Sequence, residues 1–151
     1  MARGHLTGQL NLMTMLSQVL RETFDEILET QIEALPPDAA EVVALSGVVA
    51  EDEPGEEVLA SLGMSYEQGR DLCGMHFGVP ETERSVEDTG ELPSQIMLFR
   101  GPIIRLAEYR IVYGREVNRQ ELVEQIHITL LHEIGHQFGL DEDDLTELGY
   151  D

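Results

Sequence analysis

Residues 118–139 restrict the fold more than any other stretch of this chain. Leu122, Ile126, Leu130, Ile134 and Phe138 recur there every four residues, the spacing that gathers side chains on one face of an α-helix. Asn118 followed by Glu121 reads as a capping box, an N-cap with a reciprocal acid. Gly139 is the residue type that accepts a left-handed conformation at a helix C-terminus without steric cost. The expected helix is about 20 residues and roughly 30 Å long. Its apolar face, with Phe138 as the last member, needs a second layer to pack on.

The same helix carries "LLHEIGHQFGLDEDD". His132 and His136 are four residues apart, so both rings project from one face, a turn apart, and both can bind one metal ion. Glu133 lies about 100° further round. It is displaced from the histidines' position on a metal but within reach of a water held there. Two nitrogens for zinc and a neighbouring acid for its water is the arrangement that hydrolysis requires. Only fifteen residues follow His136. A third ligand on a distant later helix, or a following methionine turn, is therefore not expected. It is expected to be local, upstream, or water. After the Gly139 turn, Asp141, Glu142 and Asp143 are the local candidates. Zincins of the H-E-x-x-H-x-x-G-x-x-H type place theirs six residues after the second histidine, which here is Glu142. Upstream, His127 is expected to face elsewhere, and His76 and Cys73 sit in a strand where core packing is the simpler reading.

The rest of the chain supplies the second layer. Residues 12–35 carry Leu16, Leu20, Phe24, Ile27, Leu28, Ile32 and Leu35 at helical spacing and predict one amphipathic helix stopped by Pro36 and Pro37. The β-branched run from Val42 to Val49 predicts a strand, and residues 55–63 a short helix stopped by Gly63. Residues 71–78 and 94–102 read as further strands, with a polar loop over 79–93 between them. Residues 103–114 read as a helix, and a last short helix is expected from about Asp143 to Leu148. Helices flanking a small sheet make this an α+β, or mixed α/β, fold. At 151 residues the chain has the size of one domain with one core.

Composition narrows the partners. Thirty acidic residues face nine basic ones, all arginine, for a net charge of −21. Such a surface is repelled by phosphate backbones and anionic membranes, so neither nucleic acid nor membrane is the expected partner, and basic or neutral ones fit better. No stretch approaches the roughly 18 apolar residues of a membrane helix, and the N-terminus lacks the pattern of a signal peptide. The single cysteine, Cys73, allows no intrachain disulfide. A cytoplasmic setting is the expectation.

The segments "VVAEDEP", "GVPETERS", "LPSQIMLFRGPI" and "LLHEIGHQFGLDEDDLTELGY" resemble the small bacterial zincin-like metallopeptidases. The likeness runs from about Phe24 to Tyr150. It divides the chain into an N-terminal extension, residues 1–23 (helical from about residue 12), and a single domain over 24–151. It implies a small zincin-like fold with a mixed sheet packed on the metal-site helix. It implies His132 and His136 as zinc ligands, Glu142 as the third, and Glu133 as catalytic acid and base acting on a zinc-bound water in peptide-bond hydrolysis. The strand Gln95, Ile96, Met97, Leu98 and Phe99 is the candidate to hold a peptide or protein substrate by strand addition. Tyr109, Tyr113 and Tyr150 are candidates for an additional oxyanion donor. Two other readings compete: a zinc-binding protein without catalysis, and a metallo-endoribonuclease with H-x3-H-x5-H ligand spacing, which the negative charge opposes.

Overall fold

The computed structural model describes residues 16–77, 95–139 and 141–143. Helices α1 (Gln18–Glu33) and α2 (Pro37–Ser46) lead into strand β1 (Val48–Glu51). Two short helices, α3 (Glu56–Leu62) and α4 (Tyr66–Gly69), precede β2 (Gly74–Phe77). Strand β3 (Gln95–Phe99) runs directly into α5 (Arg100–Ala107). The hairpin β4 (Arg110–Val112) and β5 (Arg115–Val117) then leads to the long helix α6 (Arg119–Gln137). This is the expected mixed architecture, a small sheet packed against helices. Among the described residues no helix is long and apolar enough to cross a membrane.

The main sheet has the order β1-β3-β2. Strand β1 is parallel to β3, with Val48 opposite Ile96 and Ala50 opposite Leu98. Strand β2 is antiparallel to β3, with Gly74 opposite Leu98 and His76 opposite Ile96. Strand side chains alternate between faces, so Val48, Ala50, Ile96, Leu98, Gly74 and His76 share one face. That face looks toward the helices. Ile96 and Leu98 are wholly buried there, and α6 packs across both β2 and β3. From α6, Leu122, Ile126, Leu130 and Ile134 enter the same core, joined by Phe24, Ile27 and Leu28 of α1.

Leu20 of α1 packs against this core too, and α1 runs without a break through residues 23 and 24. Arg100 ties that helix to the sheet. Its guanidinium donates to both oxygens of Asp25 at 2.9 Å and to Asp52 at 3.1 Å, while Arg21 donates to the other Asp52 oxygen.

Several local expectations are corrected. The strand expected from Val42 to Val49 is helical up to Ser46, and only Val48 and Val49 are extended. Pro37 occupies the first helical turn with Asp38, and Gly47 (φ 77°) ends it. Those end signals and the burial of Val42 and Ser46 on one face outweigh the weak helix penalty of valine. Residues 103–114 are not one helix. Gly101-Pro102 opens α5 instead of closing a strand, as proline in a first turn can. The chain then reverses at Tyr113 (φ 48°) and Gly114 (φ 75°), paired left-handed residues that suit a two-residue hairpin loop. The capping box at Asn118 does not form. Asn118 is itself left-handed and its amide donates to the Glu108 carbonyl at 3.1 Å. Phe138, the C-cap of α6, is over a third exposed rather than buried. The loop expected over 79–93 and nearly all of the helix expected from Asp143 lie outside the described residues.

Leu130 is fully buried in the middle of α6. Leu130→Ala is expected to destabilise the fold by about 2–5 kcal/mol, read as a lowered midpoint in urea denaturation.

Candidate active site

The last two turns of α6 bring the chemistry to the sheet. His132 and His136 project together, with their Nε2 atoms 3.1 Å apart and their rings in an edge-on arrangement, centroids 4.7 Å apart. Gly139 takes the left-handed conformation (φ 83°), and its N–H closes the helix end on the His136 carbonyl at 2.9 Å. The chain then folds back. Glu142 Oε1 lies 2.8 Å from His136 Nε2 and 3.4 Å from His132 Nε2. Asp141 and Asp143 do not join this cluster.

His132, His136 and Glu142 thus offer three ligand atoms around one point. Zinc bonds of about 2.0–2.1 Å in tetrahedral geometry separate ligand atoms by roughly 3.3 Å. The observed separations of 2.8, 3.1 and 3.4 Å fall within about half an ångström of that edge length. The donor set also matches: His136 Nε2 faces two partners at hydrogen-bonding distance but carries at most one hydrogen, whereas one cation satisfies all three atoms.

Glu133 is not one of the three clustered groups; it lies in the seam between α6 and β2 and shares a cavity wall with His132. It is only 5% exposed. Its Oε1 lies 3.1 Å from Nδ1 of His76. The His76 ring in turn stacks on His136, with centroids 4.8 Å apart and planes 26° from parallel. His76 therefore stands beside the site rather than in the core, as sequence reasoning had it. Strand alternation in the sequence puts His76 and Gly74 on one face; that α6 covers that face is shown only by the structure.

Gly74 makes the close approach possible. A Cβ at this position would meet Thr129 Cγ2 at 2.9 Å, the Met97 carbonyl at 3.1 Å and Glu133 Cγ at 3.3 Å. Beside the seam, a cavity of about 230 Å³ is bounded by Gly74, Cys73, Leu106, Ile128, His132 and Glu133, among others.

The chain matches the sequence model of the zincin-like metallopeptidases over residues 44–150. It belongs to that family. No functionally curated protein matches it. The zincin-like family implies a metal ion, typically zinc, and the His132–His136–Glu142 cluster is the place among the described residues where this zincin-like chain can hold one.

Other expected site residues lie elsewhere. Gln95, Ile96, Met97, Leu98 and Phe99 form β3, the middle strand, with both edges hydrogen-bonded to β1 and β2. Neither edge is left for a peptide, so β3 cannot extend the sheet with substrate. Its hydrophobic run marks a buried central strand. The Tyr109 hydroxyl is committed to Glu116 at 2.7 Å, Tyr113 is fully exposed at the hairpin turn, and Tyr150 lies outside the described residues. His127 is exposed on another face of α6.

Burial, reinforced by the Asp71 carboxylate, pushes the Cys73 thiol up to about 11. At neutral pH it is a protonated cavity wall, not a nucleophile. Alkylation of Cys73 by iodoacetamide at pH 8 is expected to be on the order of 100-fold slower in the folded protein than in urea, followed by mass spectrometry.

Proposed function

We propose that this chain is a zinc-dependent peptidase in which Glu133 carries the proton. The convergence of His132, His136 and Glu142 on one point, with buried Glu133 one turn-face away, supports the reading most directly. His132, His136 and Glu142 would hold the ion. Zinc bound there supplies Lewis acidity, which lowers the pKa of a water to about 7 and polarises the scissile carbonyl.

The remaining chemistry belongs to the protein. Glu133 accepts a proton from the attacking water and passes it to the leaving amine. Its burial keeps bulk water from competing for that proton and strengthens local electrostatics. Among the described residues the sheet ends at β2, so β2 rather than β3 is the strand to which an extended peptide would add. The cavity beside Glu133, walled by Leu106 and Ile128, would take an apolar side chain next to the scissile bond. A net charge of −21 favours basic substrates over acidic ones.

Glu133→Gln keeps the side chain's shape and removes the base. Hydrolysis of a peptide library by the zinc-loaded protein is expected to fall by about 10²–10⁴-fold, while zinc binding measured by calorimetry persists. Activity that survives the substitution sinks the proposed role of Glu133. Glu142→Ala is expected to weaken zinc binding itself, and an unchanged affinity would remove Glu142 from the ligand set.

A further inference from the structure

His76 is the side chain near the site that neither the ion nor the reacting proton requires. It is nevertheless the residue that touches both halves of the chemistry. Its Nδ1 is 3.1 Å from Glu133 Oε1, and its ring lies stacked on His136. It reaches them from a different element. The register that sets His76 opposite Ile96 and Gly74 opposite Leu98 directs both toward α6.

A carboxylate is acceptor-only when ionised. For Glu133 to serve as a base, the hydrogen of this contact must sit on His76 Nδ1. The contact is then a charge-assisted N–H···O⁻ bond, of the stronger class, and it occupies one of the two carboxylate oxygens. Glu133 has three side-chain torsions that would otherwise let it swing. The bond from His76, together with Gly74 two residues along the same strand face, where even a Cβ would come within 3.3 Å of Glu133 Cγ, limits that freedom.

We infer that His76 is a positioning residue. It pins Glu133 Oε1 through Nδ1–H and leaves Oε2 as the oxygen that handles the proton, while its stacked ring aligns the β2 strand with His136. This assignment rests on the peptidase reading for its kinetic consequence, but its geometry is testable without it.

Two variants separate the parts. His76→Phe keeps a ring to stack on His136 and deletes the donor. His76→Asn keeps a donor near the Nδ1 position and deletes most of the ring. The expectation for His76→Phe is a kcat about 10- to 100-fold below wild type, with KM and zinc affinity unchanged, as for an interaction made at the chemical step. His76→Asn is expected to recover a substantial part of that loss. A wild-type kcat in His76→Phe, no recovery in His76→Asn, or an equal fall in zinc affinity in both variants would overturn the inference. The last result would assign His76 to holding the ion's ligands instead.

A second measurement needs no turnover. Nitrogen-15 NMR of the wild-type imidazoles reports which nitrogen of His76 carries the hydrogen. A protonated Nδ1 whose signal shifts in Glu133→Gln supports the contact, and an unprotonated Nδ1 overturns it. If the zinc-loaded wild type cleaves no peptide while Nδ1 is protonated against Glu133, the peptidase reading fails and the His76–Glu133 contact stands.

Discussion

The seam between α6 and β2 closes over Gly74. A methyl group there would sit 2.9 Å from Thr129 and 3.3 Å from Glu133, closer than packed carbon atoms tolerate. With hydrogen in its place, the strand lies directly on the helix. The contacts that the strand makes with the site follow from that approach. His76, two residues along the same strand face, reaches Glu133 and His136. Fully buried Gln137 lies 3.5 Å from the Phe77 carbonyl at the strand's end.

Helix α6 carries two unlike faces. Leu122, Ile126, Leu130 and Ile134 are 0–3% exposed, and burying side chains of this size contributes about 1.5–3 kcal/mol each. About 100° round from Ile134, the helix buries the carboxylate of Glu133. Removing an ion from water costs several kcal/mol unless partners compensate, and a hydrogen bond to a charged group returns about 1.5–3 kcal/mol. The apolar face therefore dominates locally and can hold Glu133 in an environment that the carboxylate alone would not select. Arg100, bridging α1 and the sheet through Asp25 and Asp52, secures the far side of the same core. Glu142 is a contrast. Its side chain is 69% exposed and is held by the turn after Gly139, so the third position of the cluster depends on a short exposed segment, not on the core.

The elements that were misread share a cause. Valines at 42, 43, 48 and 49 look alike as residues, yet Val42 is helical and Val48 is in a strand. Proline at the start and glycine at the end divided them. Asn118 and Phe138 mark the two ends of α6. Their types matched capping and core patterns, but Asn118 is left-handed as the chain leaves the hairpin, and Phe138 falls at the cap, over a third exposed. End geometry depends on what the chain does next, which local pattern does not contain.

His132, Glu133 and His136 were legible because one helix carries them, and 3.6-residue periodicity converts their spacing into geometry without reference to any other element. Glu142 was legible for a similar reason: a glycine turn of six residues' reach can be counted. The family resemblance rested on the same contiguous stretches. His76 was not legible, because its place beside Glu133 requires knowing that β2 pairs antiparallel with β3, in which register, and on which face α6 lies. The role assigned to β3 failed on the same ground. A hydrophobic run announces a strand, but whether that strand is central or at an edge is decided by hydrogen bonds to chain distant in sequence. Sequence by itself determined the chemistry that one helix and its turn can carry; tertiary structure decided which strand meets that chemistry, since strand order and register exist only between segments.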